Sequence, residues 1–175
     1  ELEKKSGNIL FNAVSADLKN LEFTKKNLLS ISDKKHKKYY NFAFFGIPIS
    51  NYSEKDKNYE GEVVLSENEN YFVINFDVKN KKKETHLVYV FKSNFEKVYE
   101  QLIQINIKDK LFTYNSIALD DEDGTVYFLG KYFENNSNKS KKKGSVNFHF
   151  ELYKVDANGQ ANIRFKSSNK YISSL

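Results

Sequence analysis

The side chains able to do chemistry are few and scattered. Three histidines, His36, His86 and His149, stand far apart, and none forms the HExxH or i,i+4 pair of a zinc site. His86 and His149 each fall near the start of a strand-like run, so they occupy comparable places on neighbouring units. A structural, hydrogen-bonded role is favoured over metal binding for both. The run Asp120, Asp121, Glu122, Asp123 before Gly124 invites calcium, because a hard cation needs several oxygens converging from one loop. The EF-hand spacing fails, since its first ligand falls on Leu119 and its distal Glu is missing. A tight turn at Asp123-Gly124 explains the same residues without a metal. Carboxylate pairs such as Glu134 with Glu151 could serve glycoside hydrolysis only at a set separation. No nucleophile elbow, Gly-rich phosphate loop or Cys/His pair is present. The chain therefore reads as non-enzymatic, with no catalytic set, cofactor site or metal site.

Positive charge is the other surface chemistry. Lys34–Lys38 around His36, the run Lys81, Lys82 and Lys83, and the run Lys141, Lys142 and Lys143 are candidate contacts for anions or a partner. The last two fall at comparable hairpin turns, which a propeller would set on one rim. Charged hairpin tips also keep sheet edges soluble and unpaired, and that bland role carries more weight. Arg164 is the only arginine. Bidentate phosphate and base contacts favour Arg forks, so a dedicated nucleic-acid role is disfavoured. Exposed aromatics could stack on a glycan, although core packing is their default use.

The elements that must position these residues are strands. The chain has 175 residues, 39% of them hydrophobic and 15% aromatic, enough for a packed core. Lys and Arg number 28 against 23 Asp and Glu, a net charge of +5. Absent cysteine removes disulfides, thiolate metal sites and Cys nucleophiles together. No apolar run is long enough for a transmembrane helix. The chain starts at Glu1 with no Met and no signal-like stretch, which reads as a processed chain or a piece of a longer one. Val, Ile, Phe and Tyr cluster between Gly, Asn, Asp and Ser turns, and Ala and Leu stripes at helical spacing are scarce. Asp123-Gly124 and Asn158-Gly159 read as two-residue hairpin turns.

An internal repeat organises the strands. Ser66–Val78 aligns with Asp121–Phe133, and each is followed by a Lys-rich turn and a second run, His86–Lys97 and His149–Gln160. A further strand follows each, Val98–Ile105 and Ala161–Lys166. Ile9–Phe23 resembles the last half of such a unit, with a polar turn at Ala16–Asp17. Between them, Ser30–Tyr59 is polar and Lys-rich around the aromatic stretch Tyr39–Ser50, and Pro48 argues against a central strand there. Val146–Lys154 alternates, with Val146, Phe148, Phe150 and Leu152 on the apolar face and Asn147, His149 and Glu151 on the other. Tyr71–Phe76 and Val126–Phe133 are apolar on both faces, as in strands inside a stack of sheets. Propeller blades have that property.

The stretch DDEDGTVYFLGKYFENNSNKSKKKG followed by NFHFELYKVDANG resembles repeats of large β-propeller-like proteins of Bacteroidota, mostly uncharacterised. The resemblance is best over Ile117–Phe165, weaker over Val64–Ile105, and weakest over Ile9–Phe23. Glu69-Asn70 stands where Asp-Gly would be, and Asn75 replaces Gly130. It implies a periplasmic, outer-membrane-associated or secreted protein. Together these readings give an all-β chain of antiparallel, propeller-type blades, two near-complete repeats and a partial one, as part of a larger propeller. The partial blade spans 1–30, a linker and outer strand 31–60, a blade 61–110, and a blade with a C-terminal strand 111–175. The expected role is a scaffold or protein-interaction segment whose partner is another protein or the rest of its own propeller. The alternatives are a carbohydrate- or ligand-binding propeller and a basic adaptor for polyanions.

Overall fold

The computed structural model describes residues 1–32, 62–78, 80, 82–108, 111–134 and 148–165. The expectations placed on Lys34–Lys38, His36, Tyr39–Ser50, Pro48, Lys81, Lys141–Lys143, Val146 and Asn147 lie outside the described residues. Within them the chain is all-β, with eleven strands and no α-helix. β1 (Leu2–Lys5), β2 (Asn8–Asp17) and β3 (Glu22–Ser32) form a first sheet. β4 (Glu62–Leu65), β5 (Tyr71–Asp77), β6 (Glu84–Lys92) and β7 (Lys97–Ile105) form a middle sheet. β8 (Phe112–Leu119), β9 (Val126–Phe133), β10 (Phe148–Asp156) and β11 (Gly159–Arg164) form a third. Each sheet is a meander in chain order, and every pairing is antiparallel. No helix among the described residues is long and apolar enough to cross a membrane.

The three sheets stack with the middle one inside. One side of it, carrying Val73, Val88, Val90, Tyr99, Ile103 and Ile105, packs on Val126, Phe128, Tyr153 and Val155 of the third sheet. Its other side, with Ile74, Phe76 and Phe91, packs on Ile9, Phe11, Leu29 and Ile31 of the first. Phe11 meets Phe76 edge to face at 4.9 Å. A strand sandwiched this way needs apolar residues at both parities, and Val73 to Phe76 are all buried.

The third sheet departs from the sequence expectation in two ways. β9 is buried on one face only, because Val126, Phe128 and Gly130 alternate with the half-buried Tyr127, Leu129 and Lys131. β10 turns Tyr153 and Val155 toward the middle sheet, and Phe148, Phe150 and Leu152 point away from it. Both parities of β10 carry large apolar residues, so alternation alone does not choose which face meets the neighbouring sheet.

Turn chemistry differs too. The β8–β9 connection is a four-residue loop closed by Asp120 N–H to Thr125 O at 2.8 Å, and only Gly124 in it has positive φ, 72°. The β10–β11 turn consists of Ala157 and Asn158 between the paired Asp156 and Gly159, and neither turn residue has positive φ. Neither is the two-residue type I′ turn expected at Asp123-Gly124 and Asn158-Gly159. In the first sheet β2 continues through Asp17, so the turn falls at Leu18–Leu21, beyond Ala16–Asp17.

The β4–β5 loop closes the same way as the β8–β9 loop, by Ser66 N–H to Tyr71 O at 2.9 Å. The ladders start at Leu65 opposite Phe72 and at Leu119 opposite Val126. Phe72 therefore corresponds to Val126, one residue away from the alignment drawn on sequence. The ladders to β6 and β10 carry the shift onward, so His149 corresponds to Thr85 and not to His86. A one-residue slip exchanges the faces of a strand. The two histidines therefore face opposite ways on corresponding strands.

Two substitutions probe this packing. Glu69 holds φ 58° in the β4–β5 loop. The left-handed region costs an L residue about 1–2 kcal/mol, and glycine gives back part of that in chain entropy. Glu69→Gly is expected to stabilise the fold by about 0.5–1 kcal/mol, read as a higher denaturant midpoint at unchanged m. Gly130 lies under the Phe112 ring, and a Cβ there would fall 1.8 Å from Phe112 Cζ. Gly130→Ala is expected to cost about 2 kcal/mol, with part recovered by adding Phe112→Leu, measured by the same unfolding curves.

Candidate functional site

The polar groups that could do chemistry gather at the seam between the middle and third sheets. Glu151 is the centre of one cluster, at 3% exposure. Its place on β10 puts His149 and Tyr153 two residues either side, on the same face. His149 Nε2 donates to Oε1 at 3.2 Å, and Tyr153 donates to Oε2. Arg164, directly opposite on β11, donates to Oε1 from Nε at 2.9 Å and from Nη2 at 2.8 Å. Burial alone would push the Glu151 carboxyl up. The hydrogen bonds from Tyr153, Arg164 and His149 and the Arg164 charge outweigh it and hold the group below the ordinary carboxylate value. Burial and then the Glu151 charge push the Tyr153 hydroxyl up. An open pocket of about 350 Å³ adjoins this cluster, lined among others by Tyr132, Arg164, Asn162, Gln104 and Gln160. Glu134 lies exposed just past the end of β9, and Glu151 is already committed to three side chains. Glu151 thus ties β10 to β11 through Arg164 and holds its neighbours His149 and Tyr153 in place.

A second cluster sits where β5 ends and β6 begins. His86, 1% exposed, has Nε2 at 3.0 Å from Glu84 Oε1 and Nδ1 at 3.2 Å from Asn75 Oδ1. Its ring stands edge-on against Phe128 of the third sheet at 4.5 Å. Asp77 completes a group of three potential ligands with Glu84 and His86. Nearby, Tyr114 of β8 donates to Glu62 of β4, and burial followed by that carboxylate pushes the Tyr114 hydroxyl up.

The remaining candidates resolve into turns and seams. Asp123 Oδ1 accepts Thr125 N–H at 2.8 Å, and the Thr125 hydroxyl first and then this N–H hold its carboxyl below the ordinary value. Asp120 Oδ1 accepts Glu122 N–H, and Asp121 Oδ1 accepts Asn68 N–H across the seam at 2.9 Å. The acidic run thus ties its own loop and the neighbouring one. Lys82 and Lys83 are exposed, with their backbone N–H groups on Asn80 Oδ1. Sequence reasoning overlooked the stitches from β7. Tyr99 Oη lies 2.9 Å from Gly124 O and 3.0 Å from Val155 O, Gln101 donates to Ala157 O, and Gln104 and Gln160 exchange two hydrogen bonds. Alternation within Lys97–Ile105 puts Tyr99 and Gln101 on the face of Ile103, and that was the available signal. No protein-family model matches the chain, and no curated protein or solved structure is significantly similar to it.

Proposed function

We propose that the chain is a non-enzymatic scaffold or protein-interaction segment built of propeller-type blades, in an exported or envelope-associated protein. The observation that carries this reading is the sense of the stacking. Through the ladders, Val73 and Val88 of the middle sheet correspond to Tyr127 and Leu152 of the third. The first pair is fully buried under the third sheet; the second pair lies on the third sheet's outward face. There Leu129, Leu152 and Ile163 form one row, and Ile163 is 61% exposed. Among the described residues, stacking in one sense leaves a last face suited to a further sheet, as between propeller blades. The partner that fits is another protein or the rest of the same propeller.

The test is capture from an envelope extract by the wild-type chain and by Leu152→Asp/Ile163→Asp. One stoichiometric partner, retained by the first and lost by a variant with unchanged circular dichroism, supports the reading. Equal retention by the variant, or turnover of any substrate by the purified chain, overturns it. The pocket beside Tyr132 and Arg164 favours a second reading, a carbohydrate- or ligand-binding propeller. A glycan array that is blank for the wild type, or unchanged by Tyr132→Ala, removes it.

A further inference from the structure

Four donor side chains share one face where β5 ends and β6 begins. Asp77 lies directly opposite His86 in the ladder. Asn75 is two residues before Asp77 and Glu84 two before His86, so all four stand on the same side of the sheet. That side faces the interior seam, where Glu84 is 3% and His86 1% exposed. One carboxylate oxygen from each acid and a ring nitrogen of His86 lie within 4.8 Å of one another. The imidazole is held from behind by Asn75 Oδ1, 3.2 Å from Nδ1. With Nδ1–H donated to that carbonyl, Nε2 turns its lone pair toward Glu84 Oε1 at 3.0 Å. Two lone pairs at that distance repel unless a proton or a cation lies between them. A ligating histidine is set up in this way, its second N–H fixed by a carbonyl oxygen.

We infer that Asp77, Glu84 and His86 bind a single divalent first-row cation of the Zn²⁺ class, with Asn75 orienting the imidazole. One imidazole nitrogen and two carboxylate oxygens match Zn²⁺, whereas Ca²⁺ and Mg²⁺ take oxygen ligands. The site lies at the seam, so its role is to hold β5 and β6 together against Phe128 and Tyr114 of the third sheet, 4.5 and 5.7 Å from the His86 ring, with a water as the fourth ligand.

The experiment uses chelator-treated, dialysed protein with Co²⁺ as the probe. The expected result is the visible absorption of low-symmetry, four-coordinate Co²⁺ at one ion per chain, lost on adding Zn²⁺. The melting temperature should rise with Zn²⁺, fall back with chelator, and stay put with Ca²⁺. Glu84→Gln keeps the shape of the side chain and should abolish the absorption while the strand circular dichroism persists. Asn75→Ala should weaken binding about 10- to 100-fold. Folded wild-type protein without the absorption, and with a melting temperature indifferent to Zn²⁺, overturns the inference and leaves a proton in the gap. Absorption that survives both Glu84→Gln and His86→Gln overturns it equally, because the metal is then elsewhere.

Discussion

Replacing Arg164 with methionine is expected to destabilise the fold by about 3 kcal/mol at neutral pH, a drop in Tm of roughly 10 °C. The figure is the low end for breaking a buried pair, because Arg164 is itself half exposed. The substitution leaves Glu151 buried with only Tyr153 and His149 as donors. The pH dependence makes the prediction specific. In the wild type the Glu151 carboxyl is held below its ordinary value. Its contribution is present above the unfolded-chain value near pH ~4.3, and it is lost as pH falls through the depressed folded value. Without the Arg164 hydrogen bonds and charge, less opposes the effect of burial, and the carboxyl is expected to rise above its ordinary value. The variant then regains stability as pH falls from 7 toward ~4.3, where the wild type gains nothing from this group. Urea melts of both proteins across this range read the difference directly. A penalty in Arg164→Met that is the same at pH 7 and near pH 4.5 would mean that Glu151 is not the reason for it. Adding Glu151→Gln should recover part of the loss at pH 7 and none at low pH.

The strands were legible because their composition and period are local properties. Tyr71–Phe76 announces burial on both faces through apolar residues at both parities, and the middle sheet buries it so. Val126–Phe133 carries a similar run, but its outward Tyr127 and Leu129 are only half-buried. Runs of hydrophobic residues do not encode how many sheets cover them. Register was legible only to within one residue. Matching His86 to His149 by identity put the two sheets a step out of phase, whereas the loops closed at Ser66 and Asp120 set the true correspondence. The seam was half legible. His149, Glu151 and Tyr153 follow from strand alternation, but the partner Arg164 comes from the next strand. The Glu62 and Tyr114 pair spans 52 residues and two sheets, a distance no local pattern reaches.

Alkaline pH should unfold the protein in one steep step. Burial pushes the hydroxyls of Tyr99, Tyr114 and Tyr153 above the ordinary tyrosine value, and the Glu62 and Glu151 carboxylates push the last two further. All three sit at the seam between the middle and third sheets. Their stabilising contribution is complete below the unfolded value near pH ~10. Above it the unfolded chain gives up these protons and the folded chain keeps them, so each pH unit favours unfolding by about 1.4 kcal/mol per tyrosine, or about 4 kcal/mol for three. Two such units remove about 8 kcal/mol, enough to unfold a domain in the lower half of the usual 5–15 kcal/mol range. Of the twelve tyrosines, these three should therefore form tyrosinate only together with the loss of far-ultraviolet circular dichroism, between about pH 11 and 12. Tyr114→Phe removes one of the three protons and should make the step shallower by about 1.4 kcal/mol per unit. Tyrosinate at all twelve tyrosines while the strand signal persists would show that water reaches these hydroxyls, and that the seam is looser than its packing implies.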